Sequence, residues 1–115
     1  MKKILLVDDE IDLLRIIKKM VDDDVVFDRA CNGREGLDLF HQNKYDLIIT
    51  DYEMPVLNGL EMIMGIRKTD YSIPIILVSG KGALILNNIS VIEKSADLKK
   101  LKKTISDLLG PEMIR

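Results

Sequence analysis

Apolar residues fall in blocks along this chain, and the blocks end on polar residues of a particular kind. Ile4-Leu5-Leu6-Val7 is an unbroken apolar run that stops at Asp8-Asp9. A run without polar alternation fits a strand buried on both faces, as in a parallel sheet. From Ile11 to Val21 the apolar residues Ile11, Leu14, Ile17 and Val21 recur at helical spacing, which predicts a first helix with Asp8 or Asp9 as its cap. Val25 to Ala30 reads as a second strand, nearer an edge because it carries Asp28 and Arg29, and Asn32-Gly33 reads as the turn after it. Gly36 to Gln42, with Leu37 and Phe40 inward, predicts a second helix.

The pattern then repeats. Asp46 to Thr50 is a third strand ending at Asp51, and a loop with Met54-Pro55 and Asn58-Gly59 leads to a helix over Leu60 to Arg67. Ile75 to Val78 is a fourth strand ending at Ser79-Gly80. A brief helix over Ala83 to Asn88 and a fifth strand over Val91 to Glu93, ending at Lys94, come next. The last helix has Leu98, Leu101, Ile105 and Leu108 as its buried stripe, and Gly110-Pro111 stops it. Strand and helix thus alternate five times. This predicts an α/β fold, a doubly wound five-stranded parallel sheet with helices on both faces. In such sheets the functional site lies outside the carboxyl ends of the strands.

Composition narrows the picture. The 115 residues suit one compact domain, expected over 1–110, with 111–115 as a tail or the start of a linker. Apolar residues at 47 % support a core, and aromatics at 4 % leave it to Ile, Leu, Val and Met. Seventeen basic against nineteen acidic residues give a net charge of -2, which argues against direct nucleic-acid binding by this domain. Lys99, Lys100, Lys102 and Lys103 read as a solvated helix face. Cys31, alone, excludes an internal disulfide and is expected to fill space near a strand end. No apolar run is long enough for a membrane span, and acidic residues follow Val7 too soon for a signal peptide, so a cytoplasmic location is the expectation.

The strand ends carry the chemistry. Asp8, Asp9, Asp51, Ser79 and Lys94 all fall at carboxyl ends, so the fold would gather them in one cleft. Singly, each has a plain reading as a cap, a turn residue or an exposed lysine. Together, three carboxylates either raise their pKa values or recruit a cation. Oxygen ligands favour a hard ion such as Mg²⁺, or Mn²⁺ in its place. A carboxylate can act as a nucleophile toward phosphorus, and a lysine and a hydroxyl can receive the phosphoryl oxygens.

The motifs LVDDE (6–10), IITDYEMPVLNGLEM (48–62), IILVSG (75–80) and the later Lys94 resemble the receiver domain of two-component response regulators, a flavodoxin-like fold. The resemblance implies a phosphorelay switch that is not an enzyme in the usual sense but assists its own phosphorylation and dephosphorylation. Asp51 would be the phosphoacceptor, charged from a histidine kinase or histidine phosphotransfer protein. Asp9 and Asp51 would ligate Mg²⁺ directly, Asp8 through water and Glu53 through its backbone carbonyl. Lys94 and Ser79 would contact the phosphoryl group, and the small Gly80 would allow its close approach. Glu53 and Lys81 would flank the cleft mouth and modulate phosphate loss.

The chain departs from the family pattern in three places. The fourteen residues between Ser79 and Lys94 leave room only for a short or irregular fourth helix. Ser95 stands where the family has Pro, and a trans peptide is expected before it. Val91 occupies the switch position where an aromatic residue is usual. The output partner is therefore open, and a homodimer is one possibility. The alternatives are a phosphorylation-independent interaction module, which these departures favour, and an aspartyl-phosphate hydrolase, which lacks a second acid outside the receiver pattern. His41 reads as a surface histidine late in its helix.

Overall fold

The computed structural model describes residues 1–80, 86, 88–94 and 98–115. Five parallel strands form one sheet: β1 (Lys3–Val7), β2 (Val26–Ala30), β3 (Leu47–Asp51), β4 (Ile75–Ser79) and β5 (Ser90–Glu93). Their order is β2-β1-β3-β4-β5, so the order in which strands are added across the sheet reverses between β1 and β3, and β2 lies at an edge. Four α-helices accompany them among the described residues: α1 (Asp12–Met20), α2 (Gly33–Gln42), α3 (Gly59–Arg67) and α4 (Leu98–Leu109). The doubly wound parallel sheet read from the sequence is the fold observed. Of the expected short helix over 83–88 only residues 86 and 88 are described, and Lys81 and Ser95 lie outside the described residues.

Two cores explain why the strands are apolar without alternation. Along β1, Ile4 and Leu6 enter one core while Leu5 and Val7 enter the other. The first core joins Leu47, Ile49, Ile76, Val78 and Ile92 to Ile17 and Met20 of α1 and to Leu101, Ile105 and Leu109 of α4. The second joins Ile48, Ile75 and Leu77 to Met62, Ile63 and Ile66 of α3. β1, β3 and β4 are covered on both faces, so nearly every position on them is apolar. A buried Leu or Ile contributes about 1.5–3 kcal/mol by leaving water, so these strands fix the register firmly.

Several sequence expectations shift in detail. Ile11 is the residue before α1 and is exposed, because the helix turns Leu13, Ile16, Ile17 and Met20 toward the sheet instead. Neither Asp8 nor Asp9 caps α1: its N-cap is Ile11, without a side-chain bond, and the Asp8 Oδ1 accepts from the Glu10 N–H at 3.0 Å. Asn32-Gly33 is not a turn between elements but the start of α2, since Asn32 Oδ1 accepts from the Glu35 N–H at 2.9 Å. On α4 the buried stripe is Leu101, Ile105 and Leu109; Leu98 is exposed on the first turn and Leu108 only half-buried. Cys31 is exposed rather than space-filling.

After α4 the chain makes a 3₁₀ turn over Pro111–Met113 and folds back on the domain. Ile114 pairs antiparallel with Val21, and Met113 and Ile114 pack on the first core. The Asp22 N–H donates to the Met113 carbonyl at 2.7 Å, and Arg115 pairs with Asp23.

Candidate functional site

Parallel register brings the polar strand ends level. Val7 lies beside Ala30 and Thr50, Asp51 beside Val78, and Ser79 beside Glu93. One residue beyond β1 and at the ends of β3 and β4, Asp8, Asp51 and Ser79 are 3 %, 4 % and 1 % exposed. Asp9 stays exposed at the rim. Carboxylate oxygens of Asp8, Asp9 and Asp51 all lie within 4.8 Å of one another.

Each member is held by local chemistry. The Asp8 N–H donates to the Ala30 carbonyl at 3.0 Å, and the Asp8 carbonyl accepts from the Arg29 guanidinium at 3.1 Å. Asp51 Oδ1 accepts from the Tyr52 N–H at 2.8 Å, and its Oδ2 takes the Lys94 ammonium at 3.3 Å. Lys94 reaches inward from the residue after β5, anchored by its own N–H donating to the Ser79 carbonyl at 2.7 Å. The Thr50 hydroxyl donates to the Asp51 carbonyl at 2.9 Å, and Gly59 closes the loop behind with its N–H on the Tyr52 carbonyl at 2.8 Å. A Cβ at Gly59 would stand 2.2 Å from the Asp51 carbonyl oxygen, so only glycine fits there. The helix that begins at Gly59 carries a reciprocal Asn58–Glu61 capping box.

The electrostatics match three acids around one cation. Burial, reinforced by the Asp51 charge and opposed by the Glu10 N–H bond, pushes the Asp8 carboxyl up to about 6. Burial works against the Lys94 ammonium, but the charges of Asp51, Asp8 and Glu10 outweigh it and hold its pKa above the ordinary lysine value. A single ammonium, half exposed, cannot neutralise three carboxylates. The donor set is all oxygen, clustered and partly open to solvent, and it fits a hard divalent ion that keeps some of its water.

Asp8, Asp9, Asp51 and Lys94 therefore lie together at the strand ends, with Ser79 buried at the end of β4 and its carbonyl holding the Lys94 N–H. Glu53, Met54 and Pro55 line its mouth together with Asp9, Glu10 and Lys94. Gly80 is exposed, and a Cβ there would meet nothing within 4 Å. Val91 is partly buried against the second core, opposite Leu77. His41 is exposed on α2, away from the strand ends. Sequence reasoning missed Arg29 and Thr50. Arg29 was visible only as a charge on an edge strand, and Thr50 only as the polar end of an apolar run.

No helix among the described residues is long and apolar enough to cross a membrane. The chain is 37 % identical to a probable transcriptional regulator, ycf27, of Guillardia theta, over 84 % of this chain and 37 % of that one. It is 39 % identical to the response regulator ArlR of Staphylococcus haemolyticus, over 70 % of this chain and 37 % of that one. It thus spans little more than a third of the length of these curated relatives. Among solved structures, the Thermotoga maritima response regulator TrrA in complex with Mg²⁺–BeF aligns with a TM-score of 0.79 and 32 % identity, covering 94 % of this chain and 99 % of that one. The model of the response regulator receiver domain matches residues 4–106, and the chain belongs to that family.

Proposed function

We propose that Asp51 accepts a phosphoryl group from a phosphohistidine of a kinase or phosphotransfer protein and that this charge switches the partners of the domain. The observation that carries this reading is the paired arrangement at Asp51, with one oxygen fixed by the Tyr52 N–H and the other beside the Lys94 ammonium. Oδ1 is tied down, so Oδ2 is the nucleophile. It attacks phosphorus, the P–N bond to the donor imidazole breaks, and the imidazole nitrogen keeps the bonding pair. Lys94 then turns from the carboxylate to a phosphoryl oxygen, and Ser79, the residue after the Val78 that pairs with Asp51, would donate to another.

Asp8, Asp9 and Asp51 would hold Mg²⁺ or Mn²⁺, with the Glu53 carbonyl as a further ligand at the mouth. Bound there, the ion would offset the carboxylates' repulsion of an incoming phosphoryl group. The complex of TrrA with Mg²⁺–BeF supports this assignment by likeness. Glu53, exposed at the rim, would modulate access of the water that removes the phosphate. On this reading the domain would act in the cytoplasm as a phosphoacceptor that assists its own phosphorylation and dephosphorylation, not as a turnover enzyme. The relatives are longer, so the output lies with a partner or with further sequence.

The test is intact-mass analysis after incubation with Mg²⁺ and a small acyl phosphate. The parent should gain one phosphate-sized increment, lost when the metal is chelated. A chain that gains none would favour the phosphorylation-independent module.

A further inference from the structure

We propose that Arg29 is a positioning residue for the divalent-cation site, acting through the backbone of Asp8; this rests on the cation reading of the acidic cluster. Arg29 stands next to the end of the edge strand β2, on the neighbour of β1. Its Nη2 donates to the Asp8 carbonyl at 3.1 Å, across 21 residues of sequence. The adjacent residue, Ala30, takes the Asp8 N–H at 3.0 Å. Both polar groups of the Asp8 backbone are thereby gripped by one strand. The Asp8 carboxylate is gripped from the other side by the Glu10 N–H.

This arrangement is more than surface decoration. The carbonyl that Arg29 holds belongs to the Asp8–Asp9 peptide, so the bond fixes where Asp9 begins. Asp9 is the exposed member of the cluster and has the most freedom to drift from the other two. The Arg29 Nε is buried with no hydrogen-bond partner, so the side chain accepts a cost to present Nη2 at this carbonyl. Its charge approaches a carbonyl rather than a carboxylate. The groups that set the Asp8 pKa are its burial, Glu10, Asp51, Lys94 and Asp9, not Arg29.

Two effects of opposite sign can therefore be separated. A positive charge behind the loop repels a cation, so a spectator arginine weakens metal binding and its removal tightens it. A positioning arginine organises the ligands, so its removal loosens binding. Supporting contacts behind metal ligands are worth about 10-fold in affinity. Arg29→Met removes the charge and the bond but keeps the apolar stem, and Arg29→Lys keeps charge and stem with a compact ammonium in place of the planar guanidinium.

The experiment is calorimetric titration of the full chain with Mg²⁺ alone, with amide exchange of the metal-free protein measured alongside. Arg29→Met should bind Mg²⁺ about 10-fold more weakly, with Arg29→Lys between it and the parent. The Glu10 amide should exchange faster in both variants, while the Ile48 amide on β3 keeps its protection. If Arg29→Met does not fold, Arg29→Lys carries the comparison. Equal or tighter Mg²⁺ binding by the variants overturns the role of Arg29. A parent chain that takes up no Mg²⁺ overturns the cation reading instead.

Discussion

Replacing Asp8 by asparagine removes one charge from the acidic cluster and almost nothing else. Asparagine keeps the oxygen that accepts the Glu10 N–H, so the local turn survives. The Asp8 carboxyl is 3 % exposed, and its oxygen lies within 4.8 Å of an oxygen of Asp51. At an effective dielectric of about 20, that separation costs about 3 kcal/mol for two charges. The rise of its pKa from 3.8 to about 6, caused first by burial and only secondarily by the Asp51 charge, corresponds to about 3 kcal/mol of preference for the neutral form. The cleft is open to water and Lys94 screens part of the repulsion, so about 1–2 kcal/mol is the expected gain for the metal-free variant at pH 7.5.

The sign follows from proton counting. Between about pH 4 and 6 the folded chain holds a proton that the unfolded chain has released. Stability therefore falls as pH rises through that window, and the full penalty applies above it. In chelator, Asp8→Asn should melt roughly 5 °C higher than the parent at pH 7.5 and no higher at pH 3.5. In Mg²⁺ at 100 times its Kd the parent gains about 2.7 kcal/mol, and the variant, with a weakened site, should gain much less. The order of stability should thus narrow or invert on adding metal. A variant that is less stable without metal, or that gains as much from Mg²⁺ as the parent, would show that Asp8 neither strains the metal-free cluster nor holds the ion.

Lys94→Ala should slow phosphoryl uptake from a small donor by about 100-fold, measured as the rate of mass gain. Its fold should be little changed, because a half-exposed ion pair adds at most about 1 kcal/mol. Gly59→Ala should lower the denaturant midpoint by the equivalent of about 1–3 kcal/mol, because the new Cβ meets the Asp51 carbonyl. It should impair phosphoryl uptake too, since that carbonyl belongs to the acceptor residue, and an unchanged midpoint would show that the loop gives way freely.

The strands were easily read because each of β1, β3 and β4 is covered on both faces, which leaves no polar position to blur the run. The same property marked the site: a strand buried throughout has no packing reason to end on aspartate. Helix starts were harder. Asn32-Gly33 suits a turn and a capped helix equally, and the Glu35 N–H that decides between them belongs to the next turn of chain. Leu98 and Ile11 fit the apolar stripes by spacing, yet both precede or open their helices, where the chain has not yet come onto the sheet. Arg29 could not be found from sequence because its partner is a backbone carbonyl on another strand, and carbonyls carry no side-chain signal. The packing of Met113 and Ile114 was hidden by Gly110-Pro111, which mark the end of a helix without showing where the chain goes next.

The acceptor residue itself can be identified chemically. After phosphorylation with Mg²⁺ and a small acyl phosphate, hydride reduction converts an aspartyl phosphate to homoserine, which peptide mass spectrometry then locates. Homoserine is expected at position 51 alone, and none in Asp51→Asn. Homoserine at Asp8 or Asp9, phosphate retained on Ser79, or undiminished phosphoryl uptake by Asp51→Asn would contradict it.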